Sequence, residues 1–237
     1  MKLLELDKIR VRLGEAEILK GINLNIGKGE RIGIIGPNGH GKTTTMMTIS
    51  GLHKPHEGSI RFDNRQINGL NPQKIVELGV ILVPEGGHLF PDMTVHENLL
   101  MGAYPKRAAK HAKENLELVY NLFPKLKVLS KKKGNTLSGG ERRMLAAGRG
   151  LMSAPALLML DEPTLGLSPN LVEEMGMKLN EIGKMGTSVI LADENMDLVS
   201  DFAERVYFLE NGEIKLEGPT EEVLANDHVR KTYLGIA

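Results

Sequence analysis

The chain has 237 residues, 41% of them apolar and 25% charged, the profile of a globular protein large enough for a substantial core. Thirty Lys and Arg balance thirty Asp and Glu, so the overall charge favours neither nucleic acid nor an anionic membrane surface. Cysteine is absent, which excludes disulfides and thiolate metal sites and is compatible with a reducing cytosol.

The opening MKLLELDKIRVRLGE carries scattered charges and no uninterrupted apolar run, so no signal peptide is expected. No stretch approaches the roughly 18 apolar residues that span a bilayer, and any membrane role is expected through a partner. Residues 3–11 and 18–26 read as strands at one side of the fold. Apolar runs follow at Arg31–Ile35, Val80–Val83, 156–160, Ser188–Ala192 and 205–209, with helical material between them. Short β-rich runs alternating with helices predict a largely parallel sheet covered by helices. The last run continues through Asn211-Gly212 into residues 214–216, a hairpin signal because both turn positions need positive φ. Between about 93 and 152, Ala, Lys, Glu and Leu dominate, which predicts an inserted helical subdomain within a single domain. Lys131, Lys132 and Lys133 in this stretch are expected to be a solvated surface.

Three motifs carry chemistry. Gly36-Pro37-Asn38-Gly39-His40-Gly41-Lys42-Thr43 satisfies G-x-x-x-x-G-K-[ST] between a strand and a helix. Glycines let successive N–H groups turn toward phosphate oxygens, and the helix start adds its positive end. Lys42 is expected to reach the β and γ phosphates, the Thr43 hydroxyl to take a Mg²⁺ position, and Thr44 to extend the phosphate contacts. Residues 156–162, Ala-Leu-Leu-Met-Leu-Asp-Glu, form an apolar strand ending in two carboxylates. Asp161 suits Mg²⁺ or its bound water, and Glu162 suits the deprotonation of an attacking water, a contribution of about 10²–10⁴ in rate. Together these motifs make nucleoside triphosphate hydrolysis the leading hypothesis. Leu137-Ser138-Gly139-Gly140-Glu141 then opens a helix. Ser138 and Glu141 have capping-box spacing, which would serve any helix start. A cap needs no glycines, however, and Gly139 and Gly140 leave the helix end bare for a second anion. That arrangement predicts a dimer in which each helix end closes over the partner's nucleotide.

In order and spacing, GPNGHGKTT, LSGGE and LLMLDEPTLGL resemble the nucleotide-binding subunit of an ABC transporter, over essentially the whole chain. LVPEGGHLFPDMTVHENLLMGAY and the ending VRKTYLGIA are similar to ATP-binding subunits of branched-chain amino acid importers. The resemblance implies a P-loop NTPase core with an N-terminal antiparallel β subdomain. It implies an ATP sandwich dimer, with itself or a related ATP-binding subunit, docked beneath integral membrane permeases and served by a solute-binding protein. It places the chain in the cytoplasm, peripheral on the inner face of the cell membrane. Glu85 then stands where many relatives carry the Q-loop glutamine, to sense the metal and couple to the permease. Ser138 to Glu141 serve the opposite subunit's γ-phosphate, and residues after Glu85 with the inserted helices meet the permease.

The sequence departs from the pattern at two positions. Leu13 stands where relatives usually stack an aromatic ring on adenine, so a contribution on the order of 1 kcal/mol is missing. Glu194 stands where relatives carry a His or Gln facing the γ-phosphate. A carboxylate about 4 Å from a phosphate charge costs on the order of 4 kcal/mol at an effective dielectric near 20. Glu194 must therefore turn away, be protonated, or sit near the metal. Two other readings stay open here: a soluble ABC-type ATPase in a cofactor-assembly complex, and a nucleotide-gated interaction module with low turnover. His53 and His56 flank Pro55 without a third ligand and read as surface residues, and the twelve methionines read as core packing.

Overall fold

A computed structural model describes residues 2–234; Gly235, Ile236 and Ala237, which end the VRKTYLGIA motif, lie outside the described residues. The chain opens with a long hairpin, β1 (Lys2–Leu13) and β2 (Ala16–Gly27), followed by β3 (Arg31–Ile35) and helix α1 (Lys42–Ile49). Strands β4 (Glu57–Phe62) and β5 (Arg65–Gln66), helix α2 (Pro72–Leu78) and β6 (Val80–Val83) come next. A run of helices follows: α3 (Val95–Gly102), α4 (Lys106–Ala109), α5 (Ala112–Leu122), α6 (Pro124–Val128) and α7 (Gly139–Met152). The chain closes with β7 (Leu157–Asp161), α8 (Pro169–Lys184), β8 (Ser188–Ala192), α9 (Met196–Phe202), β9 (Arg205–Glu210), β10 (Glu213–Pro219), α10 (Thr220–Ala225) and α11 (Asp227–Leu234).

Two sheets result. One is antiparallel with order β2-β1-β4-β5, and the other has order β10-β9-β3-β8-β7-β6, parallel except for the β9–β10 pair. The strands expected at one side of the fold are thus β1 and β2, joined by β4 and β5, which the sequence reading did not foresee. In the β9–β10 turn Asn211 and Gly212 adopt φ of 51° and 80°, as the Asn-Gly signal requires.

The parallel strands are apolar on both faces because both faces are covered. In β7, Leu157 and Met159 pack into the core shared with the antiparallel sheet and α1, whereas Leu158 and Leu160 pack into the core shared with the helical run. The helical stretch expected at 93–152 corresponds to α3–α7, whose Val95, Leu99, Val119, Leu126 and Leu145 share that second core with the sheet. Lys131, Lys132 and Lys133 are exposed. Among the described residues no helix is long and apolar enough to cross a membrane.

Candidate nucleotide site

Strands β3, β7 and β8 lie side by side and parallel, so the segments leaving their carboxyl ends converge. The first is the glycine loop of residues 36–41. Gly36 is required sterically, since a Cβ there would lie 2.0 Å from the Leu209 carbonyl oxygen. Gly41 ends the loop in the left-handed region at φ 111° and starts α1 at Lys42. His40 does more than fill an unrestricted slot. Its Nδ1 accepts the Asn211 backbone N–H at 3.1 Å and its carbonyl accepts the Gly212 N–H at 3.1 Å, which straps the loop to the β9–β10 turn.

Lys42 is only 4% exposed. Its Nζ donates to the Gly36 carbonyl at 2.8 Å and to the Pro37 carbonyl at 3.4 Å. It also lies 3.5 Å from Glu162 Oε1 and 3.6 Å from Glu194 Oε1. The cleft bounded by Asn38, Gly39, Gly41, Lys42, Thr43, Thr44 and Glu162 has a volume of about 90 Å³.

The two carboxylates after the apolar strand behave differently. Alternation along β7 puts Asp161 on the same face as Leu157 and Met159, toward α1. Both Asp161 carboxylate oxygens are buried without a hydrogen-bond partner. Burial pushes its pKa up. The Thr43 hydroxyl pulls the other way, near enough to favour the charge while short of hydrogen-bond geometry, and the Glu85 charge raises it further. Glu162 lies one residue beyond the strand at φ 47°, a left-handed turn that costs an L-residue roughly 1–2 kcal/mol. Its N–H donates to the Ala192 carbonyl at 2.8 Å, and its carboxylate faces Lys42. Burial raises its pKa as well, Lys42 opposes, and Glu194, Glu85 and Asp161 add to the rise.

Glu194 is aimed by its neighbours. Asp193, 4% exposed, accepts the Thr164 hydroxyl at 2.7 Å and the Asn195 N–H at 2.9 Å, and Asn195 caps α9 by accepting from Leu198 N–H. Here the Glu194 carboxylate pairs with the loop lysine. Nothing in the sequence pattern assigned a role to Asp193, Thr164 or Asn195; the signal was an Asn at helix-cap spacing before α9.

Glu85 is exposed after β6, near enough to Asp161 and Glu162 to influence both. Its loop is pinned by Arg149, which donates to the carbonyls of Gly87 at 2.6 Å and His88 at 2.9 Å and lies over the Phe90 ring. Buried Asn98 fixes the next segment through the Phe90, Met93 and Thr94 carbonyls. Leu13, 41% exposed beside the β1–β2 turn, does not border the cleft.

Ser138 to Glu141 do not border it either. Ser138 and Glu141 form the capping box at the start of α7, and the Ser138 backbone N–H holds the Glu141 carboxyl below the usual range. The two glycines differ. A Cβ on Gly140 would meet Leu171 Cδ1 at 2.9 Å, so that glycine serves packing, whereas a Cβ on Gly139 would meet nothing within 4 Å.

A second concavity of about 520 Å³ lies away from the cleft. Val76, Ile81, Phe90, Met101, Tyr104 and Pro105 are among the residues that line it.

The family model described as "ABC transporter" matches residues 19–165. The chain is 37% identical to the high-affinity branched-chain amino acid transport ATP-binding protein BraG of Pseudomonas aeruginosa, over 98% of this chain and 100% of that one. It is 30% identical to the lipopolysaccharide export system ATP-binding protein LptB of Acidithiobacillus ferridurans, over 92% and 90% of the two chains. Among solved structures it resembles the ADP conformation of an ATP-binding cassette of an ABC transporter, with a TM-score of 0.86, 28% identity, and 99% of both chains covered. It also resembles a dimeric post-hydrolysis ATP-binding cassette bound to ADP and Pi, with a TM-score of 0.78, 28% identity, and 92% and 98% covered. The match of the family model across the glycine loop, the helix-opening LSGGE and the strand ending in Asp161, together with these relatives, shows that the chain belongs to the ABC transporter family as an ATP-hydrolysing cassette of the P-loop type.

Proposed function

We propose that this ATP-binding subunit energises uptake of a small solute, branched-chain or other amino acids, through separate integral membrane permease subunits served by a solute-binding protein. The observation that carries the catalytic part is the convergence of Lys42, Thr43 and Glu162 at one cleft, with Asp161 buried behind it next to Thr43, while Ser138 to Gly140 lie outside it. A cleft with its own lysine and carboxylates but no second anion contact is half of a site. A second copy, or a related ATP-binding subunit, supplies Ser138, Gly139 and Gly140 across the dimer.

Within each half, the backbone of Gly36 to Thr44 cradles the phosphates and Leu13 covers the base by apolar contact. The paired, partnerless oxygens of buried Asp161 and the adjacent Thr43 hydroxyl suit a hard divalent cation. They would hold Mg²⁺, with Glu85 the next nearest carboxylate, and the cation would supply positive charge to the triphosphate. Glu162 accepts the proton of the attacking water. Its raised pKa makes it a stronger base than an exposed carboxylate, and the Lys42 ammonium 3.5 Å away holds it in place until nucleotide takes that lysine away. Glu194 must leave Lys42 at the same step.

The apolar concavity beside the Glu85 loop supports a permease contact, which would hold the chain peripherally at the inner face of the membrane. Similarity to BraG favours amino acids as the solute, whereas similarity to LptB shows that this architecture also serves export. The decisive experiment is Glu162→Gln. The variant is expected to bind ATP, stop turning it over, and accumulate as an ATP-bound dimer by size-exclusion chromatography. Normal turnover would remove Glu162 from the base role. Co-purification of the chain with soluble partners only would favour the cofactor-assembly reading over a transporter.

A further inference from the structure

The first amide of the glycine loop is held from the far end of the chain. Gly36 N–H donates to the Tyr233 hydroxyl oxygen at 2.6 Å across 197 positions of sequence. The Leu209 carbonyl also lies against the same residue and leaves no room for a Cβ. Gly36 is therefore gripped at the hinge between β3 and the loop.

Tyr233 is itself well anchored. Val229, one helical turn before it on α11, is fully buried in the core shared with Phe208 and Val206. His228 packs edge-on against the Phe208 ring and reaches Glu210 Oε2 at 3.1 Å. Phe208 and Glu210 flank Leu209, so the two jaws that grip Gly36 are joined to each other. The phenol lies near the carboxylates of Glu194, Asp193 and Glu162, and burial with those charges raises its pKa, against the Gly36 N–H. It keeps its proton throughout the physiological range. Having accepted from Gly36, the hydroxyl still has that proton to donate, and it makes no other hydrogen bond among the described residues.

We propose that Tyr233 is a positioning residue for nucleotide binding: through its hydroxyl, helix α11 holds the Gly36 hinge so that the glycine loop keeps the bend that receives the phosphates. This rests on the reading of residues 36–44 as the phosphate cradle. The loop contacts the phosphates of ADP and ATP alike, so release of the hinge weakens both nucleotides and leaves the chemical step alone. The C-terminal helix thereby sets nucleotide affinity, although it contributes no residue to the cleft wall.

The test is Tyr233→Phe in the full chain, which keeps the ring and removes only the hydroxyl. By isothermal titration, the dissociation constant for ADP is expected to rise about three- to tenfold, the range of one hydrogen bond. The KM for ATP should rise in step, with kcat within about twofold. A role in packing alone would lower the melting temperature and leave the ADP constant of the folded protein unchanged; that result overturns the proposal. So does a fall in kcat at unchanged KM. If the variant does not fold, amide exchange in the unaltered protein decides: a protected Gly36 N–H supports the hinge contact and a rapidly exchanging one overturns it. Failure of the unaltered chain to bind ADP would instead overturn the phosphate-cradle reading and this inference together, whereas equal ADP affinities of the two proteins sink the inference alone.

Discussion

Lys42 Nζ lies 3.6 Å from Glu194 Oε1, so the residue that departs most sharply from the family pattern is ion-paired to the residue that defines the phosphate loop. Glu194 is partly exposed, and an ion pair of that kind is worth about 0–1 kcal/mol. Binding of a γ-phosphate must break it and then accommodate a carboxylate beside the incoming charge. Glu194→Gln removes both obstacles. Hydrolysis at ATP concentrations below KM is expected to rise about two- to fivefold, the equivalent of up to about 1 kcal/mol. Steady-state phosphate release against ATP concentration checks this. A fall in turnover would show that Glu194 assists the reaction.

Asp161 has the opposite character, being buried with both oxygens unpartnered. Its folded pKa is raised above the ordinary value of 3.8, chiefly by burial. A group raised on folding contributes stability while protonated, below the unfolded pKa, and loses that contribution as pH rises through the folded pKa. The chain without metal or nucleotide should therefore lose stability relative to Asp161→Asn as pH rises from about 4 to neutrality. At neutral pH the variant is expected to be more stable by roughly 1–3 kcal/mol, because a buried unpartnered carboxylate costs more to desolvate than a neutral amide in the same place. That corresponds to roughly 2–4 °C in melting temperature per kcal/mol. Melting curves in EDTA across this pH range test it, and equal melting temperatures at all pH values would contradict it. Excess magnesium with ADP should reverse the order, because only the carboxylate binds the cation.

Much of this arrangement was legible in the sequence, for local reasons. The parallel strands were visible because double burial makes each an unbroken apolar run, and the two helix starts were visible because capping and glycine signals are local. The strands β4 and β5 were not, because EGSIRFDNRQ pairs across the antiparallel sheet with β1 and carries only two apolar side chains inward, Ile60 and Phe62. Lys42, Asp161 and Glu162 could be assigned together because their motifs specify strand ends. The pairing of Lys42 with Glu194 and the grip of Tyr233 on Gly36 were not foreseen. Each depends on segments far apart in sequence, placed by the order of strands β3, β8 and β9.

Leu13 sits at the exposed end of β1 and makes no stacking partner for a purine ring. An aromatic ring there adds a contribution of about 1 kcal/mol. Leu13→Tyr is therefore expected to tighten ATP and ADP binding about fivefold, equally for both because the base is common to them. Titration of the two nucleotides into the variant provides the measurement. Unchanged or weaker binding would place the base elsewhere than against this turn.

The apolar concavity offers a test that leaves the cleft untouched. Met101, 42% exposed, and Tyr104, 70% exposed, line the concavity together with Phe90, over whose ring lies Arg149, which also holds the Gly87 and His88 carbonyls. A segment seated there presses on the same loop that carries Glu85, so contact and cleft are mechanically continuous. Met101→Glu puts a charge on the wall without disturbing a buried core position. It is expected to abolish co-purification with membrane subunits while basal ATP hydrolysis by the isolated chain stays within about twofold, as for a surface change away from the chemistry. Retained co-purification would move the permease contact to another face. Loss of basal hydrolysis in the isolated chain would mean that this wall supports the cleft itself. Met101→Leu, which keeps the wall apolar, should preserve both properties and so distinguishes lost complementarity from lost packing.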